Sequence, residues 1–228
     1  MTDRRLDKEK KRVSREDVAE YIANEIIESK LNPGDRIVET RLSKELQVSQ
    51  GAVREAIRDL IAKGMLVSKP YKGTYVRAMS LDDIIDYFRT REVLEQVAMD
   101  WALDSEEGRS CEMLKLFAQE MILQCSSGGK QFSRIDYQFH KQLIGMSGNS
   151  SLVKAWETLG HLLWIAISLS CTEKKHLADM ADIHTKLACY IESGNRSEAR
   201  KVLKKHFTAA VESAREWFAQ KEECTEKE

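Results

Sequence analysis

The 228-residue chain has little proline and little glycine, 2 and 11 residues respectively. Proline removes a backbone donor and breaks helices, so its scarcity argues against a loop-rich chain and favours long uninterrupted helices. Cysteine is also sparse. Cys111, Cys125, Cys171, Cys189 and Cys224 are odd in number and show no CxxC spacing. That pattern argues against a disulfide framework and reads as reduced, mostly structural thiols of a cytoplasmic protein. No long apolar run is present. The first residues are polar and charged, without the apolar core of a signal peptide. The most apolar stretch, around Leu159 to Cys171, is too short to span a bilayer and is interrupted by His161. No membrane partner is expected.

What remains is 42% hydrophobic and 32% charged, a composition able to bury a globular core. The formal net charge of -1 conceals an asymmetry. Residues 1–78 hold 17 Lys+Arg and 13 Asp+Glu, a net of +4, and the other 150 hold 19 and 24, a net of -5. A basic head on an acidic body suits nucleic-acid binding, although chance scatter gives the same figures.

The stretch Glu39 to Lys63 reads as two short helices around a tight turn. Leu42 and Leu46 lie four apart on the first helix. Val53, Ile57, Leu60 and Ile61 make the apolar stripe of the second. Val48 is the apolar residue of the turn, and Ser49 is placed to cap the second helix. The face left over carries Gln50, Gly51, Arg54, Glu55 and Arg58. It is either a solvated charged face or a recognition helix offering donors to phosphates and base edges. Gly64 ends that helix. Met65–Lys69 then alternates as a strand, Pro70–Gly73 is a turn, and Thr74–Arg77 alternates back. A helix pair followed by a β-hairpin is a winged helix-turn-helix, with Lys72 and Gly73 at the tip.

Pro33-Gly34-Asp35, Glu39 to Leu46, Val48-Ser49, Val53 to Ile57, Leu60, Gly64, Gly73 and Val76 together resemble the DNA-binding domain of GntR-family transcriptional regulators. The resemblance covers Val13 to Arg77. It implies DNA contacts from Arg41, Ser49, Gln50, Gly51, Arg54, Arg58, Lys72 and Gly73. Where the family commonly has Ser-Arg-Thr-Pro-Val-Arg-Glu, this chain has Ser49-Gln50-Gly51-Ala52-Val53-Arg54-Glu55. Gln50 therefore replaces an arginine that favours guanine with a side chain suited to adenine.

Four segments are expected: a mobile basic tail over 1–12, the winged domain over 13–78, an all-helical domain over 79–221, and a tail over 222–228. The tail's Arg4, Arg5, Lys8, Lys10, Lys11 and Arg12 either graze phosphates or are simply solvated. The winged domain opens with a helix from Ser14 to about Lys30, striped by Val18, Ile22, Ile26 and Ile27. Ala78-Met79-Ser80 is the boundary, with Ser80, Asp82 and Asp83 marking a helix start. Helical periodicity then predicts six helices. They span about Leu81–Leu103 (Ile84, Ile85, Phe88, Val93, Leu94 and Val97), Ser110–Gln124 (Met113, Leu114, Phe117 and Met121), Phe132–Met146, Leu152–Ser170, Lys174–Ser193 and Ser197–Lys221. Short connections make these an antiparallel bundle of six to seven helices. The fold class expected is mainly α.

Asp136 and His140 share one helix face, beside Phe132, Phe139 and Leu143. His184 lies among Ile183, Leu187 and Ile191, and His206 near Val202, Leu203 and Phe207. Buried ionisable groups are costly unless paired or bound. Taken one at a time, each histidine reads equally as satisfied or exposed. A second resemblance adds to this. Asp136 to His140, Asn149, His184 and Gly194 to His206 resemble the FCD effector domain of the FadR-like branch of the same family. It covers about Asp82 to Trp217. It implies that Asp136, His140, His184 and His206 hold a divalent transition metal, zinc first, with nickel or manganese as alternatives. His161 and His176 fall outside the pattern.

Arg91-Glu92-Val93-Leu94-Glu95 looks like that domain's Arg-x-x-x-Glu signature. Arg91 is read as facing the cavity and binding an anionic effector, a small carboxylic acid; otherwise it forms a surface pair with Glu95. The expectation is a cytoplasmic bacterial transcription factor. It is a homodimer on a two-fold symmetric operator, its DNA affinity is set by an effector at the metal, and it is not an enzyme. The alternative is a metal-dependent enzyme using the same Asp and three His.

Overall fold

The computed structural model describes residues 14–27, 30–104, 110–125, 129–159 and 174–225. The basic tail, most of the Leu159–Cys171 run, His161, Cys171 and the side chain of Cys224 lie outside them. The chain divides into two compact units, between Arg77 and Ala78.

In the first unit, α1 (Arg15–Ile27) buries Val18, Ala19, Ile22 and Ile26 against α3 (Gln50–Ala62). The helix stops short of the expected Lys30, which sits in a bend and returns its N–H to the Glu25 carbonyl. α2 (Glu39–Glu45) buries Leu42, and α3 (Gln50–Ala62) buries Val53, Ala56, Ile57 and Leu60. Leu46 and Ile61 are only half-buried. Gln47, at φ 53°, makes the corner between α2 and α3. The Ser43 hydroxyl closes that corner on the Val48 carbonyl at 2.6 Å. Ser49 caps α3, its hydroxyl accepting the Ala52 N–H.

The hairpin pairs β2 (Leu66–Lys69) with β3 (Gly73–Val76), Leu66 opposite Val76 and Lys69 opposite Gly73. A third strand joins it that periodicity did not announce. β1 (Arg36–Ile37) pairs with β3, giving the order β1-β3-β2. Two residues are too few to alternate visibly; the ladder is a tertiary decision.

The second unit is a helical bundle. α4 (Leu81–Leu103) starts on a full capping box between Ser80 and Asp83. α5 (Glu112–Gln124) packs on α6 (Gly129–Gly145) and α8 (Lys174–Glu192), and α9 (Arg196–Thr225) packs on α4 and α8. Residues 150–159 form α7. α9 runs on through Thr225, so residues 222–225 of the expected tail are helical. α6 begins three residues before the expected Phe132.

Periodicity misassigned two apolar residues. Val93 on α4 and Met113 on α5 face outward, while Leu94, Val97 and Phe117 are half-buried. The inward stripe of α4 is Ile84, Tyr87, Phe88, Arg91, Glu95, Ala98 and Ala102. It thus contains two charged residues, which an apolar count skips. Ion pairs pin helix to helix at the rim: Arg200 on Asp100, Lys115 on Glu192, and Lys141 on Glu157. Trp156 with Ala98 and Ile144 forms a core cluster against Tyr137 and Leu152. Among the described residues no helix is long and apolar enough to cross a membrane.

Candidate nucleic-acid interface and candidate metal centre

Burial of the Val53 stripe turns Gln50, Gly51, Arg54, Glu55 and Arg58 to solvent on one face of α3. The cations there are already engaged. Arg54 Nε donates to Glu39 at 2.7 Å, Arg58 Nη1 to Glu55 at 2.6 Å, and Arg41 Nε lies 3.6 Å from Glu45. These pairs are exposed, so each contributes at most about 1 kcal/mol and exchanges readily for a phosphate. A Cβ on Gly51 would meet only the Ser49 hydroxyl, at 3.7 Å. The fold therefore does not require glycine there.

At the wing, Gly73 has φ 103°, and a Cβ would press to 3.3 Å from Arg36 Nε. Lys69 stands over the Tyr75 ring at 4.7 Å, and the Tyr75 hydroxyl donates to the Lys72 carbonyl at 3.0 Å. Tyr71, at the tip, was not among the expected contacts. It is fully exposed with φ 61°, the left-handed region that glycine or asparagine normally fills.

In the second unit, Asp136 and His140 of α6, His184 of α8 and His206 of α9 converge. All four are buried, and each offers a ligand atom within 4.8 Å of the others. His184 Nε2 is 3.1 Å from Asp136 Oδ1 and 3.2 Å from His140 Nε2, and His140 Nε2 is 3.6 Å from that carboxylate oxygen. Ligands about 2.0–2.1 Å from a tetrahedral zinc stand about 3.3 Å apart, so these spans fit. His206 Nδ1 is buried without any hydrogen-bond partner, a lack that an ion would relieve. Three imidazoles and a carboxylate suit zinc, nickel or manganese, and a fifth or further position stays open for a ligand.

Burial alone would raise the Asp136 carboxyl, but His140 and His184 outweigh it and hold it well below the ordinary range. Burial and the two neighbouring imidazoles hold His206 well below the usual value, so it stays neutral. Burial lowers His140, yet Glu95 and Asp136 overcome that and raise it. Neutral imidazole and ionised carboxylate are the forms a metal takes.

Arg91 is not part of a surface pair; it is buried against Glu95. It is 1% exposed, and its Nε donates to Glu95 Oε1 at 2.8 Å. Its Nη2 lies 2.6 Å from the same oxygen, but off the direction a hydrogen bond needs, and remains unsatisfied. The buried Tyr87 hydroxyl is unsatisfied too. The guanidinium is sandwiched near Tyr87, Trp156 and Phe207, 5.3–5.8 Å from their centroids. Glu95 also meets His140 Nδ1 at 2.5 Å and accepts Trp156 Nε1 at 2.9 Å. The sequence named Glu95 as a signature residue and as Arg91's pair, but not as a partner of His140 or Trp156, because both contacts come from distant helices. His176 is half-buried and stands outside the group of four.

A winged helix-turn-helix joined to a helical unit with a buried Asp/His cluster defines a two-part transcriptional regulator. Residues 14–76 match the model described as bacterial regulatory proteins, gntR family, and residues 86–209 match the FCD domain. The chain belongs to the GntR family of transcriptional regulators, in its FCD-bearing branch. It is similar to a protein of Paenarthrobacter nicotinovorans described as a probable D-xylose utilization operon transcriptional repressor. They are 29% identical over 210 residues, 90% of this chain and 92% of that one. It is 26% identical over 155 residues to the Nta operon transcriptional regulator of Aminobacter aminovorans, covering 65% of this chain and 74% of the relative. Two solved structures share the fold. One is a putative GntR regulator from Rhodococcus sp. RHA1, at TM-score 0.75 and 18% identity, covering 88% of this chain and 96% of that one. The other is E. coli McbR/YncC, at TM-score 0.77 and 16% identity, covering 90% and 98%. The family and these relatives are described as transcriptional regulators.

Proposed function

We propose that this cytoplasmic regulator binds a two-fold operator as a homodimer. A small carboxylate bound at the metal centre sets its affinity for DNA. The observation that carries this reading is the buried convergence of Asp136, His140, His184 and His206 in a chain that also carries a DNA-binding unit. Arg54, Arg58, Arg41 and Lys72 would exchange surface ion pairs or solvent for phosphates. Gln50, Arg54 and the exposed backbone at Gly51 and Ser49 would face base edges, with Gly73 letting the wing approach closely.

Asp136 and the three histidines would hold the ion, which would supply a Lewis-acid position for an anion. The charge balance favours a singly charged ligand. Arg91 and Glu95 cancel, and Asp136 offsets one of two positive charges, leaving about one unit. Arg91 Nη2 and the Tyr87 hydroxyl, both lacking partners, supply donors for such a carboxylate. α5 turns Met113, Leu116, Ile122 and Leu123 to solvent, an apolar face suited to pairing two copies. Ligand binding changes operator affinity only if it favours one arrangement of the bundle over another. α4 follows the winged unit after Arg77–Ser80 and is the element to carry that difference.

The test is selection of duplexes from a random library by zinc-loaded protein, with native mass spectrometry of the same sample. A two-fold motif enriched by wild type and lost with Arg54→Ala, on a zinc-containing dimer, is expected. No enrichment, or a metal-free monomer, would overturn the reading.

A further inference from the structure

We infer that Glu95 is the positioning residue of the metal centre, fixing His140 in its ligating tautomer and tying that ligand to α4. This rests on the metal reading above.

The Glu95 carboxylate is wholly buried and gathers donors from three helices. Oε1 accepts Arg91 Nε of α4 at 2.8 Å and Trp156 Nε1 of α7 at 2.9 Å, and Oε2 meets His140 Nδ1 of α6 at 2.5 Å. An ionised carboxylate only accepts, so Nδ1 carries a proton and Nε2 is the nitrogen left to bind an ion. Nε2 is the nitrogen that faces His184 and Asp136. The other two imidazoles are held differently. His184 Nδ1 lies 2.7 Å from the Met180 carbonyl one turn back on its own helix, and His206 Nδ1 lacks a partner and is open to an ion. Of His140 and His184, only His140 has its Nδ1 held by a charge and from another helix. A carboxylate behind an imidazole orients the ring and makes it a stronger donor. Arg91 compensates the buried negative charge that this arrangement needs.

The same oxygens make α4 a witness to the centre. Any turn of the His140 ring toward an ion must draw Glu95 with it or break its bond. Trp156, sharing that carboxylate, changes environment at the same moment. The Arg-x-x-x-Glu spacing thus has a physical reason: one turn of α4 places the cation and the carboxylate on one buried point.

Zinc affinity would be measured by chelator competition for wild type, Glu95→Gln and Arg91→Met/Glu95→Gln. The double substitution keeps the core neutral should the single one fail to fold. Both variants should bind zinc about 10–100-fold more weakly. Zinc should alter wild-type tryptophan emission, but not that of Trp156→Phe or Glu95→Gln. Unaltered 15N-histidine protein loaded with zinc should show a hydrogen-bonded, far-downfield Nδ1 proton at His140. Wild type without zinc affinity would sink the metal reading and this inference together. Wild-type binding with unchanged affinity in a folded variant, or a His140 ring unprotonated at Nδ1, would overturn the role of Glu95 alone.

Discussion

Breaking the Arg91–Glu95 pair from one side should cost far more than removing it whole. Both side chains are buried, at 1% and 0% exposure. Glu95→Leu leaves the guanidinium without its counter-charge, a loss of about 3–5 kcal/mol. Arg91→Met leaves the carboxylate in the same position, at a similar cost of about 3–5 kcal/mol. The double variant leaves no unpaired charge. It strands only the Trp156 and His140 N–H donors that Glu95 accepted. At about 1–3 kcal/mol for each stranded donor, the double should cost about 2–6 kcal/mol. The singles sum to about 6–10 kcal/mol, so an interaction energy of several kcal/mol separates coupled from independent sites. The assay is urea unfolding of the metal-free chain, following the transition of the helical unit by circular dichroism. At about 2–4 °C per kcal/mol, either single should also lower that unit's midpoint by about 6–20 °C. Single costs that add to within about 0.5 kcal/mol would refute the buried-pair argument.

Three more outcomes are expected. Glu39→Gln frees Arg54 from its 2.7 Å pair and should tighten operator binding, whereas Arg54→Ala should weaken it by about 1–3 kcal/mol. Fluorescence anisotropy at fixed salt decides, and equal affinity in both variants would count against Arg54. Below about pH 6.5 the unfolded His206 gains a proton that the folded one, its pKa held well down by burial and its neighbouring imidazoles, refuses. The unfolded chain then binds more protons, so this contribution to metal-free stability is present above about pH 6.5 and lost as pH falls. His206→Phe should flatten the decline between about pH 6.5 and 5, and curves parallel to wild type would contradict it. Finally, Leu116→Glu with Leu123→Glu places charge on the outward face of α5. Sedimentation should then report monomers; an unchanged dimer would move the pairing surface elsewhere.

Much of the fold was legible because its signals are local. The Ser49 and Ser80 caps, the α3 stripe and the wing hairpin depend on residues a few positions apart. The misses share a cause. Val93 and Met113 obey helical spacing yet lie outward, because α4 and α5 carry apolar residues on more than one face. β1 has only two residues and exists because β3 offers a ladder. Arg91 and Glu95 were legible as an i,i+4 pair but not as a buried one, since polarity in sequence says nothing of what packs above it.

Sequence by itself determined the two-unit plan, the exposed face of α3 and the residue types able to hold a metal. Those follow from periodicity, capping chemistry and ligand identity, each confined to one helix. Tertiary structure alone decided that His140 meets Glu95 45 residues away and that Trp156 reaches the same carboxylate across 61. It also decided that the ligand atoms of three imidazoles and Asp136 close to within 4.8 Å of one another. Such contacts are set by how helices pack, and no spacing along one chain records the distance between two of them.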